Sequence, residues 1–257
     1  MSSDISLTMK EHVASVEIHR PPNNFFDFDL IREIADTYER LDDDPDCRAI
    51  VLCSEGKHFC AGANFQSRES WGNDQLDRQA GQLYTEAVRV FSGRKPVVAA
   101  VHGAAIGGGL GLALSADFRI TCEEARFSAN FARLGFHQGF GLSITLPRLV
   151  GPTRASLLLL TGRRIKGDEA VAMGLADELV PRSQVRERAH ELAGEIAISA
   201  PLAVQSIRAT LRKGLAEEIA RMTEHELAEQ SRLRVSDDFR EGIAAMAERR
   251  PPAFKGR

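Results

Sequence analysis

An α/β fold, with a parallel sheet in the first half and a mostly helical second half, is what this chain of 257 residues predicts. Three observations carry the prediction. Two continuous apolar runs, Ala49-Ile50-Val51-Leu52-Cys53 and Val97-Val98-Ala99-Ala100-Val101, have the length of strands buried on both faces, and Phe118-Arg119-Ile120-Thr121-Cys122 makes a third. Helical segments alternate with these runs, which implies parallel pairing with right-handed crossovers. After residue 140 the apolar spacing turns helical almost throughout.

The chain opens on Met-Ser-Ser-Asp-Ile-Ser, with an acid where a secretory leader carries positive charge. No apolar stretch approaches the ~20 residues needed to cross a bilayer, so the expected location is cytoplasmic. Residues 13–18 alternate apolar and polar side chains as a half-buried strand does, and Arg20-Pro21-Pro22-Asn23-Asn24 ends it. Leu30, Ile31, Ile34, Tyr38 and Leu41 then recur at three and four, with Asp27 or Asp29 as the cap, which predicts a helix. The acidic run Asp42-Asp43-Asp44-Pro45-Asp46 reads as a solvated turn. A small-residue helix is expected from Gly108 to Ala116. Later helices fall around 153–160, 168–173, 184–198, 202–213, 217–235 and 237–249, with one strand at 177–180. The long helix at 217–235 is mixed in charge, and either solvent or a partner subunit covers it. No repeat, low-complexity segment or flexible linker divides the chain.

Composition removes several function classes. The 33 basic and 36 acidic side chains leave a formal charge of −3, without the basic footprint of a protein that binds nucleic acid or anionic membrane. Hydrophobic residues at 43% supply a large core. Cys47, Cys53, Cys60 and Cys122 form no CxxC pair with histidines to complete a metal site, so they read as reduced thiols and no metal is expected.

The chemistry lies in the glycines. Gly103, Gly107, Gly108, Gly109 and Gly111 fall within nine residues, after a buried strand and at a helix start. Such a run lets backbone approach a ligand and leaves helix N-terminal amides free to donate. It matches neither a dinucleotide fingerprint nor a phosphate loop, and no GxSxG elbow is present. Alone, a glycine run at a helix start more often marks tight packing. A second small-residue segment, from Ser54 to Asn64, follows another buried strand. Two such loops at the carboxyl ends of parallel strands are where these sheets bind ligands, and together they can aim two N–H groups at one oxygen.

The segments His58-Phe-Cys-Ala-Gly-Ala-Asn64 and Val101-His-Gly-Ala-Ala-Ile-Gly-Gly-Gly-Leu-Gly111, with Arg20-Pro21-Pro22 before them and Glu-Arg-Arg-Pro-Pro-Ala-Phe-Lys255 at the end, resemble the crotonase superfamily, the enoyl-CoA hydratase/isomerase family. The resemblance covers essentially the whole chain. It implies a crotonase-type β-β-α spiral core over residues 1–200, holding the CoA and oxyanion site. Residues 201–257 would form a helical C-terminal trimerisation region that also covers the CoA site, within a homotrimer or hexamer. The implied substrate is an acyl-CoA thioester, with coenzyme A as part of the substrate and no permanently bound cofactor. The backbone N–H groups of Ala63 and Gly108 would form the oxyanion hole, and preorganised donors of this kind stabilise an enolate or tetrahedral oxyanion. CoA contacts would come from Pro22, Asn23, Asn24, Ala61, Asn64, Phe65, Arg249, Phe254 and Lys255. Gly111, Phe131, Leu134 and Trp71 would border the acyl group.

The sequence departs from the family where hydratases carry two glutamates, since the matching positions are Gly111 and Phe131. Addition of water across a double bond needs a titratable group within reach of both water and Cα. Two-glutamate hydration is therefore disfavoured, and the reaction is expected to be that of another lyase, isomerase or hydrolase. His137 is the first candidate for proton transfer, with a structural loop histidine as the alternative. Tyr84 is the second, with a core aromatic as the alternative. His58 and His102 read as supports for the oxyanion loops. Residues 68–79, with Trp71, Asp74 and Asp77, are expected to form a flap, and Gly93-Arg94-Lys95-Pro96 a turn. From a different function class, the chain could be a catalytically silent CoA-thioester binder or assembly subunit.

Overall fold

The structure, a computed structural model, describes residues 4–64 and 74–257, with side chains for 4–64 and 81–257. Its larger sheet contains β1 (Ile5–Lys10), β2 (Val13–Ile18), β3 (Ala49–Ser54), β4 (Val97–Val101), β6 (Phe118–Thr121) and β9 (Glu178–Leu179) in that order. β1 is antiparallel to β2, and every later neighbour is parallel. A smaller sheet joins β5 (Ala104–Ile106), β7 (Arg126–Ser128) and β8 (Ile165–Lys166). The helices are α1 (Phe28–Asp43), α2 (Asp74–Ser92), α3 (Gly108–Ser115), α4 (Leu142–Thr161), α5 (Gly167–Ala172), α6 (Val185–Ala197), α7 (Pro201–Leu211), α8 (Leu215–Arg234) and α9 (Asp237–Glu248). In β4–β5–α3 and β6–β7–α4 a strand of each sheet precedes a helix, so the chain advances as a β-β-α spiral.

The apolar runs become the centre of the sheet. Every residue of β3 and β4 is buried, as expected of parallel strands covered on both faces. α6 packs across β3 and β4 on one face. α1 forms as its pattern dictates: Asp27 accepts the Leu30 amide at 3.0 Å, and Leu30, Ile31, Ile34, Tyr38 and Leu41 are buried. Each such side chain contributes roughly 1.5–3 kcal/mol on burial.

Four elements depart from the sequence reading. β1 adds an antiparallel edge strand that the opening residues do not announce, because its outer half is exposed. The smaller sheet has strands of two or three residues, too short to impose a period of two. α4 begins at Leu142 and is interrupted at Gly151, whose φ of 78° lies between Pro147 and Pro152, so only its second half reads as periodic. The acidic turn is not uniformly solvated either. The Asp42 carboxylate accepts the amides of Arg94 and Lys95, and Lys95 Nζ donates to the carbonyls of Asp44 and Cys47.

Candidate active site

Two short segments are locked side by side by main-chain bonds. The Cys60 amide donates to Ala104 O at 2.9 Å, the Ile106 amide to Cys60 O at 3.0 Å, and the Ala61 amide to Asn23 O at 2.9 Å. Phe26 N donates to Gly62 O, and Phe26 is bridged to Ala63. Asn24 is fully buried and fastens this arrangement: its Nδ2 donates to Glu55 O and His58 O, and its Oδ1 accepts from Arg20 N. Among the described residues no bond of this pairing uses the Ala63 N–H, which borders a cavity of about 1140 Å³.

The second segment reaches the same cavity. Gly107 caps α3 with φ 56° and offers no side chain, while its carbonyl accepts from Leu110 and Gly111. The Gly108 amide therefore has no intrahelical acceptor, and the helix dipole favours negative charge beside it. A Cβ on Gly108 would stand 2.3 Å from Phe26 Cζ, so only glycine lets α3 start here against that ring.

The wall beyond this point is apolar. A Cβ on Gly111 would meet Phe140 at 2.7 Å. Phe140, itself held at φ 62°, fills the space beside Gly111. Gly111 is accordingly absent from the cavity lining, against expectation, whereas Phe131 and Leu134 belong to it. Phe26 packs edge-on to Phe140 at 5.7 Å, and Phe131 edge-on to Phe136 at 5.4 Å. Among the described lining residues the only acids are Asp27, which caps α1 and pairs with Arg20 at 2.8 Å, and Asp29, which pairs with Arg32. Neither carboxylate stands on this wall.

Tyr84 does. Its hydroxyl donates to Gln230 Oε1 at 2.9 Å, and burial pushes its pKa well above the usual phenol value, so it is a neutral proton donor. His137 is placed elsewhere: its Nδ1 donates to the Gln138 carbonyl, its ring lies edge-on to His225 at 5.8 Å, and it does not border the cavity. The main-chain geometry of the loop turns the ring toward α8, which sequence spacing does not disclose. His58 borders the cavity and accepts weakly from the Ala104 amide, while His102 Nε2 donates to Gly56 O, so each braces a small-residue loop. Burial pushes the Cys60 thiol up to about 12, leaving no thiolate to act as a nucleophile.

Ala61 and Asn64 line the cavity. Pro22, Asn23 and Asn24 do not; Asn23 instead joins the main-chain lock through its carbonyl, and Asn24 fastens it with its side chain. Arg249 caps α9 in the left-handed region, and the Lys255 amide donates to Asp238, so the tail folds back along α9 with Phe254 exposed. None of these three reaches the cavity of its own chain. Phe65 and Trp71 lie outside the described residues, as do the side chains of Asp74 and Asp77, whose backbone starts α2. The sequence reading overlooks Arg126 and Arg164 at the cavity margin. Arg126 donates to the carbonyls of Glu123 and Ala125, and Arg164 is exposed. It also overlooks Gln230, whereas a phenylalanine between Gly139 and Gly141 does signal unusual backbone at Phe140. Among the described residues no group of three or more His, Cys, Asp or Glu side chains could hold a metal ion.

The sequence model of the enoyl-CoA hydratase/isomerase family matches residues 8–257. The chain belongs to that family. A carnitinyl-CoA dehydratase of Proteus mirabilis is 34% identical over 262 residues, spanning all of both chains. A probable enoyl-CoA hydratase of Bacillus subtilis is 33% identical over 256 residues, 98% of each. Among solved structures, an enoyl-CoA hydratase/isomerase from Pseudoalteromonas atlantica superposes with a TM-score of 0.87 at 27% identity, covering 98% of this chain and 100% of that one. A probable enoyl-CoA hydratase/isomerase from Mycobacterium abscessus is 34% identical with a TM-score of 0.75, covering 98% of this chain and 99% of that one. Within this enoyl-CoA hydratase/isomerase fold, the cavity wall described above consists of aromatic rings and one phenol.

Proposed function

We propose that the protein transforms an acyl-CoA thioester by stabilising an enolate or oxyanion with the backbone amides of Ala63 and Gly108. One observation carries this reading: two separate small-residue segments bring uncommitted amides to one cavity large enough for a thioester arm. Preorganised donors at a dry site act on charge that develops in the transition state. Phe140 over Gly111 and the ring of Phe131 argue against two-glutamate hydration. The reaction is one of hydrolysis, decarboxylation or rearrangement. Ala61 and Asn64 flank the thioester arm, held in register by Asn23, and Arg126 and Arg164 suit the phosphates of CoA, because guanidinium groups pair well with them.

The assembly is a homotrimer or hexamer. No residue of α7 is buried, and Leu202 and Leu211 are 80% and 73% exposed, more apolar surface than a lone subunit leaves to water. On this reading residues 201–257 build the subunit contacts, and Arg249, Phe254 and Lys255 serve a neighbouring subunit's CoA site. The enzyme acts in the cytoplasm, with neither nucleic acid nor membrane as partner. Among the described residues no helix is long and apolar enough to cross a membrane.

The wall without carboxylates favours one other reading, a catalytically silent CoA-thioester binder or assembly subunit. Incubation with enoyl-, β-keto- and malonyl-type CoA thioesters, followed by mass spectrometry, separates the two. Turnover that is lost in Ala63→Pro excludes the silent binder. Binding without turnover across the panel excludes the enzyme.

A further inference from the structure

The cavity carries a polar cluster that stabilisation of an oxyanion does not need. Gln230 is 2% exposed and lines the cavity from α8. Its Oε1 accepts from Tyr84 Oη at 2.9 Å and from Arg234 Nη2 at 2.9 Å, and its Nε2 donates to His137 O at 3.0 Å. This network fixes which end of the amide faces which neighbour. Counting valences, Gln230 Nε2 keeps one proton. Tyr84 Oη, which donates to Gln230 and takes the Phe140 amide, keeps one lone pair. Both atoms crowd Gly139, where a Cβ would stand 1.9 Å from Tyr84 Oη and 2.5 Å from Gln230 Nε2.

Position relates this cluster to the oxyanion amides. A Cβ on Gly108 would stand 3.5 Å from the Phe140 ring, whereas Tyr84 and Gln230 press on Gly139, the residue before it in the chain. Tyr84 and Gln230 thus border the same cavity as Gly108, next to the residue whose ring approaches it. Phe26, Phe131 and Phe140 make the intervening wall apolar. An unsubstituted alkyl chain would leave a buried donor and acceptor unanswered, at a cost.

We propose that Tyr84 and Gln230 form a specificity subsite for an acyl group bearing a hydroxyl beyond Cβ, which donates to Tyr84 Oη and accepts from Gln230 Nε2–H. The inference rests on the acyl-thioester reading above and adds the class of acyl group. It also gives α8 a part in selectivity rather than in assembly alone.

Calorimetric titration of the full-length protein with hexanoyl-CoA and with its 4-, 5- and 6-hydroxy derivatives tests it. At least one hydroxy ester is expected to bind roughly fivefold tighter than hexanoyl-CoA, the worth of about one net hydrogen bond. In Gln230→Leu, and in the milder Tyr84→Phe, the ratio of the two dissociation constants should fall below twofold. That ratio isolates the subsite, because a purely structural defect weakens all four esters alike. The proposal is overturned if wild type prefers no hydroxy ester, or if the preference survives both substitutions. Should hexanoyl-CoA bind while no hydroxyl improves it, only the subsite falls; should no ester bind at all, the acyl-thioester reading falls with it.

Discussion

The two small-residue segments and the aromatic wall face one cavity, yet they are built in opposite ways. The segments act through main chain, and their side chains are small because rings and carbonyls press against them, as Phe26 does on Gly108. The wall acts through side chains brought together from distant parts of the chain: Tyr84 from α2, Phe140 from the loop before α4 and Gln230 from α8. Glu226, one turn before Gln230, is fully buried and accepts the amides of Gly141 and Ser143, so α8 grips the same loop twice. A site of this kind can keep its main-chain half while its wall is rebuilt, which is how one fold serves several reactions.

Breaking the backbone half should have the largest effect. Ala63→Pro removes one oxyanion donor and is expected to lower kcat by about 10²–10³, roughly 2.7–4 kcal/mol of barrier, on whichever thioester turns over. Ala63→Ser keeps the amide and should stay within a few fold, and steady-state kinetics on both variants checks this. An equal loss in both would mean that the amide is not the group at work.

Breaking the wall should be felt first in stability. Gly111→Ala places a methyl 2.7 Å from Phe140, and overpacking of this kind costs about 1–3 kcal/mol. The melting temperature should drop accordingly. If the variant melts like wild type, Phe140 does not hold that space.

The grip of α8 has a pH signature. Burial raises the Glu226 pKa above 4.5, so the folded state holds this proton more tightly than the unfolded chain does. The stability this group contributes is complete below the unfolded value and declines as pH rises through the folded one. The melting-temperature difference between wild type and Glu226→Gln should therefore shrink from about pH 4.5 upward, and a constant difference would contradict it.

Smaller effects sharpen the boundaries of the site. Asp27→Ala removes the α1 cap beside the cavity and should cost about 1 kcal/mol in denaturant unfolding, with little change in the slope. His137→Ala should change kcat by less than twofold, because the ring faces α8. A tenfold loss would restore His137 as the acid–base group.

Legibility followed the same divide. The burial of β3 and β4, the Asp27 cap and the small-residue start of α3 are all present in the sequence, because each depends on neighbours within a few residues. The smaller sheet escaped because two or three residues cannot establish a period, and the first half of α4 because Pro147, Gly151 and Pro152 break one. Asp42 read as solvated because the amides that bind it lie some fifty residues away, at Arg94 and Lys95.

The sequence by itself determined the fold, the two small-residue segments and the absence of glutamates at positions 111 and 131. Those properties reside in local spacing and residue identity. Tertiary structure alone decided which side chains meet at the cavity and which turn away: Phe140 in the space over Gly111, Tyr84 tied to Gln230 from 146 positions further along, and His137 turned toward α8. Close packing between elements chooses which side chain fills a vacated volume, and no spacing along one element encodes that choice.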